Sequence, residues 1–418
     1  MNLGRDTQSS IYRAGASGRL PIVPTDWHAL ETSAKRRMSP AAWAYIAGSS
    51  GSEQTSANNR NALDAWQIVP RVLRDVAERD LGIDLFGHHY PTPLIAAPVG
   101  VIELAHREAD IGVGRATAAL GIPYIFSGQA SRPMEEVAQI MGDAPRWFQL
   151  YWSTSDELVA SFVDRAEASG AQALVVTLDT HMLGWRPRDL DIAYLPFIRG
   201  MGIAQYTSDP VFRQLVAERS AHPRPAGPKP RITPETIRTL FAMTRNYPGG
   251  TLRSPEPRAA VETFLDIFSR SSLTWDNLAF LRERTTLPIV LKGILHPDDA
   301  SLALDHGVDG IVVSNHAGRQ IDGAIGSAAA LPGIVERVAG RVPVLFDSGV
   351  RSGSDVFRAL ALGASGVLVG RPYTYGLAIA GAAGAEAVLR NIVAEFDLIL
   401  GLSGHRNVAE LTPDALTK

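Results

Sequence analysis

From residue 94 onward, short continuous apolar runs alternate with longer stretches whose apolar residues recur three and four positions apart. The runs are Leu94–Ala97, Pro123–Phe126, Trp147–Leu150, Ala173–Leu178, Pro288–Leu291, Gly310–Val313, Pro343–Phe346 and Gly366–Val369. They do not alternate apolar with polar residues, which predicts strands buried on both faces, as in a parallel sheet. Between them, Asp110–Leu120, Asp156–Ser169 and Ser352–Leu362 carry helical spacing. Eight strand–helix units predict an α/β chain folded as a (β/α)8 TIM barrel, with its active site at the C-terminal strand ends. A doubly wound open sheet is the alternative, but no GxGxxG follows the first strand.

Two regions break the rhythm. Residues 1–80 read as an N-terminal helical segment packed on a barrel spanning 81–418, with helices at Asp26–Arg37 and Pro40–Ala47 and a loop at Ser50–Glu53. Between the fourth and fifth strands an insertion of about 187–287 is too long for one crossover. Its centre, HPRPAGPKPR at 222–231, is too rich in proline for regular structure. The insertion reads as an excursion over the barrel mouth, partly mobile, serving either as a lid or as a surface or oligomer contact.

Composition narrows the chemistry. The 418 residues include no cysteine, which excludes disulfides, thiolate catalysis and cysteine-ligated metals. A formal net charge of -3 gives no electrostatic footprint for nucleic acid or an anionic membrane. The opening MNLGRDTQSSIYRAG lacks the apolar stretch of a signal peptide. Runs such as Leu94–Val99 and Gly310–Val313 fall far short of a membrane span. The expected location is the cytoplasm. No metal site is expected.

Residue types that carry chemistry collect at the predicted strand ends. After the sixth strand, SNHAGRQ at 314–320 sets His316, a base that titrates near neutral pH, three residues before Arg319, whose planar fork suits a carboxylate. Asp179 ends the fourth strand, where a carboxylate stabilises a protonated imidazole; Arg186 follows seven residues on. Lys292 closes an otherwise apolar fifth strand and needs a partner or an anionic ligand. Glycine-rich loops after the last two strands, at 347–353 and 369–372, suit a phosphate, with Arg351 and Arg371 adding charge.

From about Tyr45 to the C-terminus, the chain resembles the FMN-dependent 2-hydroxy-acid oxidases and dehydrogenases, and within them the lactate 2-monooxygenase branch. The resemblance rests on YIAGSSGSE at 45–53, ERDL at 78–81, FQLY at 148–151, TLDT and GWRPRDL within 177–190, and KGILHPDDA at 292–300. It implies FMN as cofactor and a small 2-hydroxy acid and O2 as substrates. It further implies a homo-oligomer, tetramer or octamer. By resemblance, His316 is the base, Asp179 its support, and Arg319 and Tyr45 hold the carboxylate with Arg186 nearby. Tyr151 hydrogen-bonds the substrate. Lys292 stands beside the flavin and stabilises its anionic ring. Pro98, Val99 and Gly100 pass their backbone close to the flavin, and Ser127, Gln149, Thr177 and Ser314 contact it. Asp347, Gly349, Arg351, Gly370 and Arg371 hold the ribityl chain and phosphate.

Three positions depart from the family pattern: Ala317 where glycine is usual, Gln129 at an otherwise apolar substrate-facing position, and His181 in place of a bulky aromatic. The expected reaction is oxidation of a lactate-like L-2-hydroxy acid with decarboxylation. Gly100 is expected to leave the product room beside the reactive edge. Alternatives are an oxidase releasing the 2-keto acid and hydrogen peroxide, a quinone-linked dehydrogenase, and a non-redox phosphate-binding barrel.

Overall fold

The computed structural model describes residues 2–222 and 232–418. Eight parallel strands close into a barrel: β1 (Leu94–Ala96), β2 (Tyr124–Phe126), β3 (Arg146–Leu150), β4 (Leu174–Thr177), β5 (Ile289–Ile294), β6 (Gly310–Val313), β7 (Val344–Phe346) and β8 (Gly366–Val369). Each pairs with its sequence neighbours, and β8 pairs with β1 to leave no edge. Every predicted strand is present within a few residues. The doubly wound alternative is excluded by closure.

Period two explains how an all-apolar strand serves two environments. Ile95, Ile125, Trp147, Val175, Val290, Val312, Leu345 and Leu368 point inward and pack with one another. Their chain neighbours, among them Ala96, Phe126, Phe148, Val176, Leu291 and Val313, join the outer core beneath the helices. A hairpin pairing Ile83–Leu85 with His88–Tyr90 plugs the inner cluster. There Phe86 and Tyr90 meet Trp147 edge-on at 5.5 and 6.3 Å. The barrel is therefore solid below and open above.

Residues 3–64 form four helices, Leu3–Gly15, Trp27–Arg37, Pro40–Ala47 and Gln54–Asp64. The two anticipated helices begin after side-chain caps, Asp26 accepting from the Ala29 N–H at 2.8 Å and Ser39 from the Ala42 N–H at 3.2 Å. The insertion carries Pro210–Ala221, Pro234–Asn246 and Glu256–Ile267 among its helices. Aromatic edges hold it together and fasten it to the barrel: Tyr206 meets Phe264 of the insertion at 4.8 Å and Phe162 of a barrel helix at 5.0 Å. Of the proline-rich stretch at 222–231, all but His222 lies outside the described residues.

The C-terminal helix, Arg371–Leu402, is long and apolar enough to cross a membrane by length and composition. The expectation from short runs such as Leu94–Val99 and Gly310–Val313 does not take this helix into account. This helix is kinked at Ala380 and Gly381, packs against Leu3–Gly15, Trp27–Arg37 and the barrel helix Ala109–Leu120, and buries 56% of its most apolar window. Within it, buried Asp397 accepts from Arg79 Nε at 2.6 Å and from the Gly4 N–H at 2.8 Å.

Candidate active site

The two-residue period runs past the strand ends and writes the site in layers. One step above the apolar plug, the inward positions are Ala97, Ser127, Gln149, Thr177, Lys292, Ser314, Asp347 and Gly370. Ser127 Oγ donates to Gln149 Oε1 at 3.1 Å, and Gln149 Nε2 donates to Thr177 Oγ1 at 2.9 Å. Lys292 Nζ donates to Ser314 Oγ at 2.8 Å and lies 3.1 Å from Asp347. Burial pulls the Lys292 pKa down, but Asp347 and Asp179 override it and leave the ammonium more basic than usual. A fixed positive charge therefore stands in the barrel axis.

The next step up holds Val99, Gln129, Tyr151, Asp179 and His316. His316 Nδ1 donates to Asp179 Oδ1 at 2.7 Å, and Thr180 Oγ1 donates to the same oxygen at 3.1 Å. This bond leaves Nε2 as the free basic nitrogen. Burial, with Lys292 adding to it, lowers the His316 pKa against the opposing pull of Asp179. The imidazole is thus neutral and ready to accept a proton at neutral pH. Burial favours the neutral acid at Asp179, but His316 and Lys292 outweigh it and hold the carboxyl down at about 2. Tyr151, pushed up to about 12 by burial and then by Asp179, remains a hydrogen-bond donor.

Above these lies a cationic rim. Arg319 Nη1 donates to the carbonyls of Tyr45 at 2.6 Å and Gly48 at 2.8 Å, leaving the rest of its fork uncommitted. Arg319 and Arg186 lie over the Tyr45 ring, 5.0 and 5.8 Å from its centroid. Burial and then Arg186 push Arg319 down to about 9, the electrostatic mark of a cation that wants an anion. Arg186 meets Asp189 only at 3.7 Å, and its Nε is buried with no partner among the described residues.

A second cationic end lies beyond β7 and β8. Gly349 sits at φ 91°, after Ser348 at φ 83°. The Arg351 guanidinium stacks 4.8 Å over Trp27, its pKa lowered by burial and then by Arg60. Arg371 borders the same cavity. Its side chain donates to the carbonyls of Ile46, Gly48 and Ala317 and to Ser49 Oγ, at 3.0 to 3.3 Å. It ties the N-terminal helices to the β6 loop, and its backbone N–H stands at the start of the C-terminal helix.

One cavity is bordered by Tyr45, Pro98, Val99, Gly100, Gln129, Gln149, Tyr151, Arg186, Lys292, His316, Arg319, Asp347, Gly349, Arg351, Gly370 and Arg371. Ser127, Thr177, Ser314 and Asp179 stand behind its wall, orienting Gln149, Lys292 and His316. Gly100 is also corrected. A Cβ there would lie 3.1 Å from Gln129 Cβ and 3.3 Å from its Oε1. The room opened by glycine is therefore taken by that side chain.

Sequence reasoning missed Trp27, Asn59, Arg60, Asn315 and Ser348. Asn59 and Asn315 exchange side-chain hydrogen bonds at 2.8 and 2.6 Å. Ser348 Oγ accepts from the Ala317 N–H at 3.0 Å, and Arg60 Nη1 donates to the Gly349 carbonyl at 2.6 Å. The only available signal was the polar density of SANNRN at 56–61.

A cationic end, a hydrogen-bonding middle with a buried ammonium, and bare backbone at Gly100 together suit a flavin mononucleotide, with a small anion at the Arg319 end. The FMN-dependent dehydrogenase family model matches residues 34–418. An FMN-dependent alpha-hydroxy acid dehydrogenase, qulF, of Penicillium citrinum is 42% identical over 98% of this chain and 95% of its own. An L-lactate oxidase of Lysinibacillus sphaericus is 41% identical over 96% and 94%. A crystal structure of mandelate oxidase with (S)-4-hydroxymandelic acid superposes with TM-score 0.77 at 34% identity, covering 94% of this chain and 98% of that one.

Proposed function

Because the chain belongs to the FMN-dependent dehydrogenase family, and so carries out FMN-dependent oxidation of a 2-hydroxy acid, we propose that it uses O2 on a small, lactate-like L-2-hydroxy acid. The observation that carries this is the pairing of a neutral, Asp179-oriented His316 with an under-partnered Arg319 in one cavity. When bound, FMN would supply a two-electron sink for the α-carbon. Gln149, Lys292 and Asp347 would hold its ring and ribityl chain, and Gly349, Arg351, Gly370 and the Arg371 backbone its phosphate.

The protein's own part is orientation and proton transfer. Arg319, with Tyr45 and Arg186, binds the carboxylate and fixes the α-carbon beside His316. His316 Nε2 takes a proton, and Asp179, kept ionised, stabilises the imidazolium that results. Tyr151 stays protonated and donates to the substrate, while Gln129 borders it.

The proposed outcome is oxidative decarboxylation: hydroxy acid and O2 give the shorter acid, CO2 and water. This requires that the keto acid be retained, and slow release is what a covered site provides. The insertion supports it through Phe197, packed 6.4 Å from the Tyr45 ring. The second reading is release of the 2-keto acid with H2O2, favoured by the Gln129 carboxamide filling the space beside Gly100. Product stoichiometry in air with L-lactate tests both. One CO2 per O2, unchanged by catalase, is expected. Stoichiometric H2O2 with free keto acid would replace the first reading by the second.

A further inference from the structure

We propose that the preferred substrate is a 2-hydroxy acid whose own side chain carries a hydrogen-bonding group, and that Gln129 is the residue that reads it. The inference rests on the 2-hydroxy-acid reading above and adds the substrate's chemical class.

Closure of the barrel fixes where Gln129 stands. β2 and β6 are four strands apart around a ring of eight, so the residues above them face each other across the mouth. Gln129 follows β2; His316 and Arg319 both follow β6. A substrate held by its carboxylate at Arg319 and its α-carbon at His316 has its remaining substituent directed toward the β2 side. Gln129 is four residues beyond the inward Ile125 and two beyond Ser127, the same inward phase as Tyr151 after Trp147 and His316 after Val312.

The main chain of Gln129 is fully used, but its side chain is not. The backbone N–H donates to Ser127 Oγ at 3.1 Å, and the carbonyl accepts from the Val101 N–H at 2.9 Å. The residue is only 8% exposed and borders the cavity. Among the described residues, nothing donates to its carboxamide oxygen or accepts from its amide nitrogen. An unpaired amide facing the cavity from a largely buried residue loses its water when a substrate fills the site, a cost that a polar ligand group removes and an apolar one leaves standing. Its position is also held from two sides. Gly100 abuts it where a Cβ would come within 3.1 Å, and the Cβ direction of Gly202 in the insertion ends 3.2 Å from its carbonyl.

Two matched pairs of substrates test this on the FMN-loaded enzyme by anaerobic flavin bleaching: L-glycerate against L-2-hydroxybutyrate, and (S)-4-hydroxymandelate against (S)-mandelate. Each pair differs by a polar group at nearly constant size. In the wild type, the second-order rate of bleaching is expected to favour the polar member of at least one pair by about tenfold or more, since a site built to bond a hydroxyl rejects the analogue lacking it. Gln129→Leu is expected to bring that ratio to unity or below. Gln129→Met, closer in volume, repeats the test should the leucine variant lose flavin. A wild type without polar preference, or a preference that survives both substitutions, would overturn the assignment. If none of the four acids, nor L-lactate, bleaches the flavin, the 2-hydroxy-acid reading itself falls, and this inference with it.

Discussion

Along the barrel rim, the groups that do chemistry sit one or two layers above an apolar strand, as Lys292 does above Val290 and His316 above Val312. The N-terminal helices reach the same cavity by other means. Their ties run through backbone carbonyls and one pair of side-chain amides: Arg319 to the Tyr45 and Gly48 carbonyls, Ser50 Oγ to the Gly318 carbonyl at 2.9 Å, and the Asn59 carboxamide to that of Asn315. The rim supplies reactive groups on a rigid scaffold, whereas the helices hold the catalytic loop in an uncommon shape. His316 and Ala317 have φ of 55° and 54°. Backbone strain of this kind persists only where its surroundings impose it. The comparison teaches that chemistry and conformational support come from regions far apart in sequence.

The sharpest way to break the comparison is at the base. His316→Ala should slow anaerobic flavin bleaching by roughly 10²–10⁴-fold, the contribution of a positioned general base, while the protein stays yellow. Its pH profile sharpens the point. Burial lowers the His316 pKa, so wild-type kcat/KM should rise with pH through a value below 6.5 and level off by neutrality. Near-normal bleaching in the variant would remove His316 from the chemistry.

On the supporting side, Asn59→Ala leaves the buried Asn315 amide without its reciprocal partner and should destabilise the fold by about 1–3 kcal/mol. Denaturant midpoints, read beside kcat/KM, check this. A variant as stable and active as wild type would reduce the helices to passive cover. Ala317→Gly carries the smallest effect. Relieving a left-handed alanine should stabilise by about 1 kcal/mol, seen as a raised unfolding midpoint; an unchanged or lowered midpoint would mean that the loop is not strained at that residue.

The helix Gln54–Asp64 shows why part of the site was illegible in the sequence. Its buried residues, Thr55, Asn59 and Leu63, recur at helical spacing, but two are polar, so hydrophobic periodicity passes over it. Leu3–Gly15 was equally silent, burying only Gly4. Residues 187–222 and 232–287 likewise gave no periodic signal that was read as helix, although most of their length is helical. Arg371 illustrates a different limit: nothing local in its glycine-rich loop announces the distant carbonyls of Ile46 and Gly48 that it bonds.

By itself the sequence determined the eight strands, their parallel order and the residues at their ends, because burial on both faces leaves an unbroken apolar run and side chains alternate with a period of two. It also determined which groups could act as base, carboxylate holder and anion site, since those depend on residue type at a strand end. Only the tertiary structure decided that Asp179 lies 2.7 Å from His316, that Arg371 bonds carbonyls of the N-terminal segment, that Gln129 occupies the space beside Gly100, and that Asn59 props the catalytic loop. These are contacts between residues as far as 325 positions apart, made by hydrogen bonds and close packing. No local pattern in the chain encodes them.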